Sequence, residues 1–192
     1  MEYPVNRSVR IIIPANVDHL QKQQFDALRK SAYAVKTEVT DGPFESVLTI
    51  RGTVDGCTNF VKLVLDIFNV QDLVTLLCLI PENGWTSWFS INHRNIIKEH
   101  IGGSTYFHQS NLGDSDERVV VLAGTVTEVL NYLRIIHGSH KNPPKKCYMP
   151  QTNLKEVTNP SSFCYASLRE RGILDEHYHG RHWLEYKVSD AK

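Results

Sequence analysis

Five residues near the end of the chain have the side chains of zinc ligands: Cys147, Cys164, His177, His179 and His182. Zinc asks for four nitrogen or sulfur donors in a tetrahedron. The gap from Cys147 to Cys164 is long, no Cys-x-x-Cys knuckle is present, and the histidines stand at alternate or near-alternate positions. That pattern is weak. Exposed histidines in a basic, aromatic tail explain it as well, so no metal and no cofactor are expected. Catalytic signatures are missing too: there is no P-loop, no glycine-rich dinucleotide fingerprint, no Gly-x-Ser-x-Gly and no His-Glu-x-x-His. The expectation is a protein that is not an enzyme. What remains is binding chemistry. Trp85, Trp88 and Phe89 cluster within five positions. Aromatic rings stack on bases and anchor protein interfaces. A core role is expected for at least two of the three, and a protein contact for any that is exposed. Two groups of cations, Lys22, Arg29 and Lys30, then His93, Arg94 and Lys98, could meet phosphates. Solvated helix faces are the plainer reading of both. Lys145 and Lys146 add a basic pair in the tail.

Charge sharpens that choice. The chain has 192 residues, with 21 Lys and Arg against 21 Asp and Glu. Residues 1–137 carry 12 basic and 15 acidic side chains, a net of −3, while residues 138–192 carry 9 and 6, a net of +3. The body is slightly acidic and the tail basic, which gives no bulk electrostatic case for nucleic acid or membrane. Four cysteines in a chain of this length do not suggest a disulfide framework, and a reducing compartment fits better. Cys57 and Cys78 occupy apolar positions of a helix and a strand, where a thiol packs as a small hydrophobe. The N-terminus lacks a signal pattern and no apolar run reaches spanning length. The expectation is a soluble intracellular protein, cytoplasmic or nuclear, and a fragment of a longer protein is compatible with the sequence.

The elements that would position these residues come in two copies. Arg118-Val-Val-Val-Leu-Ala-Gly-Thr-Val126 is echoed by Val47-Leu-Thr-Ile-Arg-Gly-Thr-Val54, 72 positions earlier. Upstream of each lies an apolar run ending in Ile-Pro, at Pro14 and at Pro81, 67 residues apart. Repetition in the same order indicates a duplicated unit. In the first copy, residues 8–14 read as a strand and 16–32 as helix, with a slip of the apolar spacing near His19–Lys22. Either two short helices joined by a turn or one bent helix accounts for the slip. Val35–Val39 and Val47–Arg51 read as strands, and Val54, Cys57, Val61, Val64, Leu65 and Phe68 form a helical stripe. Gly52 and Gly124 suit a sharp strand-to-helix turn, and Thr53 and Thr125 are candidate helix caps. The second copy repeats the order: strand Leu73–Ile80, interrupted helix 82–101, strand Ser104–His108, loop Asn111–Glu117, strand Arg118–Leu122 and a stripe from Val126 to Ile136. The Pro/Lys/Gly stretch from Gly138 reads as a linker, with irregular sequence beyond it.

The order β-α-α-β-β-α over residues 7–70 and again over 73–138 resembles the eukaryotic KH domain, across two-thirds of the chain. That resemblance implies an α+β fold of two KH-type units, each a three-stranded antiparallel sheet on three helices, with a basic linker and extension at 139–192. The second copy, through Asn92-His-Arg-Asn-Ile-Ile-Lys-Glu-His-Ile101, Ser104-Thr-Tyr-Phe-His-Gln-Ser-Asn111 and Arg118–Val126, is similar to the KH-like repeats of the Bicaudal-C family. A KH domain clamps nucleic-acid phosphates with the backbone of a Gly-x-x-Gly loop between its first two helices. The corresponding positions here are His19, Leu20, Gln21 and Lys22, then Ser90, Ile91, Asn92 and His93, and neither set has a glycine. With the clamp missing and the body acidic, the resemblance implies a non-canonical KH module of mRNA and translation regulation. It would act mainly as a protein-interaction scaffold in a ribonucleoprotein. A poly(A)-polymerase or deadenylase factor is the partner class implied, and self-association is compatible. Direct binding of single-stranded RNA is the alternative, through Lys22, Arg94, Lys98, Lys145 and Lys146.

Overall fold

The structure, a computed structural model, describes residues 7–14, 19–42, 45–68, 73–82, 104–107, 111–112, 114–139 and 144–150. Its strands are β1 (Arg7–Pro14), β2 (Val35–Asp41), β3 (Glu45–Gly52), β4 (Leu73–Pro81), β5 (Ser104–Phe107) and β6 (Glu117–Thr125). Its helices are α1 (His19–Ser31), α2 (Val54–Phe68) and α3 (Val126–Ser139). The chain is α+β, with all the described strands in one antiparallel sheet of order β2-β3-β1-β4-β6-β5. Each half of the sequence contributes three neighbouring strands. They do not form two separate sheets as the resemblance implies, because β1 and β4 pair with each other at the middle. Both are apolar runs whose free edges would otherwise present unpaired backbone groups.

The register reproduces the repeat. Pro14 lies opposite Glu45 and Pro81 opposite Glu117, so offsets of 67 and 72 carry one ladder onto the other. At the central junction Ile11 faces Cys78, its own equivalent at an offset of 67, and Arg10↔Leu79 mirrors Ile12↔Leu77. The junction is therefore locally two-fold symmetric about the Ile11–Cys78 pair.

Side chains alternate between the two faces of a sheet. Here both faces are apolar, which is why β1, β4 and β6 read as continuous runs instead of alternating ones. On one face Val9, Ile11, Ile13, Leu48, Ile50, Val74, Leu76, Cys78, Ile80, Val120 and Leu122 pack under the helices. There α2 and α3, equivalent by the repeat, lie against each other, and α1 rests on α2. Phe25 of α1 meets Phe68 of α2 with ring centroids 5.5 Å apart. The other face gathers Ile12, Val47, Leu77, Leu79, Val119 and Val121 with Leu112 and Tyr148.

The helix starts behave as the sequence indicates. The Thr53 hydroxyl accepts from the Gly56 amide at 3.1 Å. Thr125 forms a reciprocal box: its hydroxyl accepts from the Glu128 amide at 3.3 Å while Glu128 Oε2 accepts from the Thr125 amide at 2.8 Å. The two glycines of the repeat serve different needs. Gly124 has φ 148°, a conformation L side chains rarely adopt. Gly52 is not in that region; a Cβ there would sit 3.0 Å from Val35 Cγ1 and 3.1 Å from the Ala34 carbonyl oxygen.

Candidate functional site

The positions expected to hold the first clamp form no loop between helices. His19, Leu20, Gln21 and Lys22 are the first turn of α1, which runs unbroken to Ser31, so the turn expected near His19–Lys22 is not there; residues 15–18 lie outside the described residues. The apolar slip arises because Leu20 is not a core residue: it is 62% exposed, and Phe25 is the buried anchor. Gln21 is tied down, its amide donating to the Ile67 carbonyl at 3.3 Å. His19 and Lys22 are exposed. Arg29 is engaged rather than presented to solvent. It lies 5.8 Å over the Phe25 ring, 3.8 Å from Asp26 Oδ1, and 3.4 Å from the Thr37 hydroxyl. Lys30 is exposed.

The second clamp set, Ser90, Ile91, Asn92 and His93, lies outside the described residues. So do Arg94, Lys98, Trp85, Trp88, Phe89, Cys164, His177, His179 and His182. Cys147 is exposed. Among the described residues no group of three or more His, Cys, Asp or Glu is placed to hold a metal. Cys57 and Cys78 are buried, as their apolar positions indicate, and burial pushes the Cys57 thiol up to about 11 and the Cys78 thiol up further. No described helix is long and apolar enough to cross a membrane.

The one elaborate polar arrangement among the described residues sits on the second face of the sheet, and apart from Lys146 its residues were not singled out by the sequence. Arg10 of β1 reaches across β4 to Glu117 at the start of β6, with Nε to Oε1 at 2.9 Å. The Glu117 side chain is fully buried and that of Arg10 is 12% exposed. Arg10 Nη1 also donates to the Thr49 hydroxyl at 2.9 Å. The pair then grips one residue of the segment after α3. Arg10 Nη2 donates to the Tyr148 carbonyl and the Tyr148 amide donates to Glu117 Oε2, both at 2.6 Å. Two residues earlier the same thing happens at Lys146. Its amide donates to Asp116 Oδ2 at 3.0 Å and its carbonyl accepts from the Asp116 amide at 2.9 Å. Lys146 Nζ lies 3.5 Å from Asp114 Oδ2.

Taking Glu117 out of water raises its carboxyl pKa; Arg10 and the Tyr148 amide oppose the rise without cancelling it. The loop that carries the acids is itself braced. Leu112 is buried, the Ser115 hydroxyl donates to the Leu112 carbonyl at 2.7 Å, and Arg118 joins Asn111 and Glu82 at 2.9 and 3.1 Å. Those bonds from Asn111 and Arg118 hold the exposed Glu82 carboxyl below the usual range. One signal for the site was in the sequence: Arg10 is a lone charge in the apolar run Val9–Ile13. Its partner is 107 positions away and had no such mark. No protein-family model matches the chain, and a search of curated proteins finds no similar sequence.

Proposed function

We propose that the chain is a tandem of degenerate KH-like units that acts as a protein-interaction scaffold in post-transcriptional RNA regulation. The observation that carries this reading is the first turn of α1. Where a KH domain opens its glycine clamp, residues 19–22 are ordinary helix with side chains on every position, so the backbone cannot approach a phosphate closely. The strand pairing within each half, closed by a helix after the last strand, supports the KH resemblance, while a single described helix, α1, stands where a KH domain has two. The charge pattern supports the shift from RNA to protein. Several cations of the body are matched by acids, Arg10 by Glu117, Arg29 by Asp26, Lys62 by Asp66 and Arg118 by Glu82. Phosphate binding needs positive charge or open amides. The role is non-enzymatic and cytoplasmic, and a poly(A)-polymerase or deadenylase factor is the partner class the resemblance points to.

Direct binding of single-stranded RNA is the second reading, favoured by the net +3 of residues 138–192 and the exposed Lys145. The test is binding of the full chain to a random single-stranded RNA pool across a salt series. The scaffold reading expects no binding even at low salt. Tight binding that weakens steeply with salt would overturn it in favour of phosphate contacts.

A further inference from the structure

The grip on Lys146 and Tyr148 has the form of a peptide-recognition site. We propose that the second face of the sheet is a docking groove for an extended peptide with a basic residue two positions before an aromatic one. The chain's own Lys146-Cys147-Tyr148 is its resident occupant.

Four of the contacts are to main-chain groups: the amide and carbonyl of Lys146 and the amide and carbonyl of Tyr148. Any extended segment could supply those. Selectivity comes from one buried side chain, Tyr148, with an exposed ion pair at Lys146 beside it. Tyr148 is 4% exposed among Ile12, Val47, Leu77, Leu79, Val119 and Val121. The Lys146 ammonium, exposed to solvent, lies 3.5 Å from the exposed Asp114 carboxylate. Lys146 and Cys147 are exposed, so Tyr148 is the residue of the three that enters the sheet face.

Two further points separate a ligand site from a plain structural strap. A buried ion pair is weak evidence of stabilisation, since apolar side chains of similar size commonly serve a core as well or better. What Arg10 and Glu117 add is a matched donor and acceptor for one peptide unit. The site also breaks the repeat. Glu117 corresponds to Glu45, but Arg10 corresponds to Leu77, so the symmetric position in the other half lacks the arginine. Among the described residues the groove occurs once, built from a strand of each half. It is tethered to its occupant by residues 140–143, which follow α3. A partner segment of the same chemistry must therefore displace the resident one.

The inference rests on the scaffold reading only in taking the displacing ligand to be a protein segment. The test uses the full chain carrying Tyr148→Ala and a fluorescein-labelled synthetic peptide of residues 144–150, with serine in place of its cysteine. The variant should bind the peptide about tenfold or more tightly than the wild-type chain, whose own segment competes from a short tether. A peptide with alanine for its tyrosine should not bind, and adding Glu117→Gln to the variant should weaken binding. A variant that melts cooperatively yet ignores the peptide overturns the proposal. Should Tyr148→Ala fail to fold, hydrogen exchange of the wild-type chain decides. The amides of Lys146 and Tyr148 should exchange by local opening, faster than those of Ile11 and Val121, and faster again with excess peptide. Exchange of all four only through global unfolding would make the segment a fixed part of the core and overturn the site. Wild-type dimers that the peptide converts to monomers would mean the segment is exchanged between copies, and would overturn the partner assignment. RNA binding in the pool assay would remove the scaffold reading without altering any of these readouts.

Discussion

Replacing both members of the Arg10–Glu117 pair should cost far less than the sum of replacing each alone. Glu117→Leu leaves a guanidinium that is 12% exposed with no counter-charge, and Arg10→Met leaves a fully buried carboxylate in the same condition. Breaking a buried pair from one side costs about 3–5 kcal/mol. Two independent losses would then sum to roughly 6–10 kcal/mol. The double variant instead removes both charges together. Its remaining cost is at the amide and carbonyl of Tyr148, each of which loses its partner. An unsatisfied buried group costs about 1–3 kcal/mol, less if the segment swings into water. The double variant should therefore cost about 2–6 kcal/mol, short of the sum of the singles by about 4 kcal/mol at mid-range, and that shortfall is the coupling. Urea denaturation of the four proteins, at a pH well above the carboxylate range, measures the cycle. In thermal melts each single variant should fall by roughly 6–20 °C. Single variants within about 1 kcal/mol of wild type, or losses that simply add, would refute the reasoning, because neither charge would then depend on the other.

Four other outcomes are expected. Thr125→Ala removes one side of a reciprocal capping box and should cost about 1–2 kcal/mol; Thr53→Ala, with a single bond to Gly56, should lie at or below the lower end, both read from denaturation midpoints. Gly124→Ala should lose about 1–3 kcal/mol through backbone strain at φ 148°, and Gly52→Ala a similar amount through contact with Val35 and Ala34; a neutral result at either would remove its cause. Thiol labelling of the native chain should modify Cys147 quickly and leave Cys57 and Cys78 untouched until unfolding, as mass mapping would show. The pH dependence follows from Glu117, whose folded carboxyl is raised by burial. The native state holds this proton at a pH where the unfolded chain, titrating near 4.3, has released it. Its contribution is full on the acid side and is lost as pH rises from the ordinary carboxylate range through the raised folded value. Glu117→Gln should flatten that part of the stability curve, and an unchanged curve would count against the burial argument.

Local pattern carried much of the fold. The β-branched runs, the Gly-Thr-Val echoes and the apolar stripe of α2 mark their elements because each is a property of neighbouring residues. The threonine caps were legible for the same reason. The start of α1 was not, since spacing alone cannot tell a surface-facing Leu20 from a core one. Nor was the union of the halves into one sheet. Pairing of β1 with β4 satisfies edges that only the assembled strands possess, and nothing in either run names its partner. The candidate site failed in the same way at longer range. Glu117 read as the end of a polar loop and Tyr148 as part of an irregular tail. Both acquire their roles from Arg10, more than a hundred positions away. The tail's basic charge was visible, but Lys146 lies against acids that the sequence places in a separate loop.

The central pairing of Ile11 with Cys78 fixes how the molecule can be divided. A contact in which each position meets its own equivalent is the geometry of two identical bodies facing each other. Either half made alone would expose its first strand, and the surface that strand fits best is another copy of the same half. Covalent linkage through residues 69–72 settles the stoichiometry at one of each. An arginine on one side of the axis and a leucine on the other is the kind of difference that only a fused pair can keep.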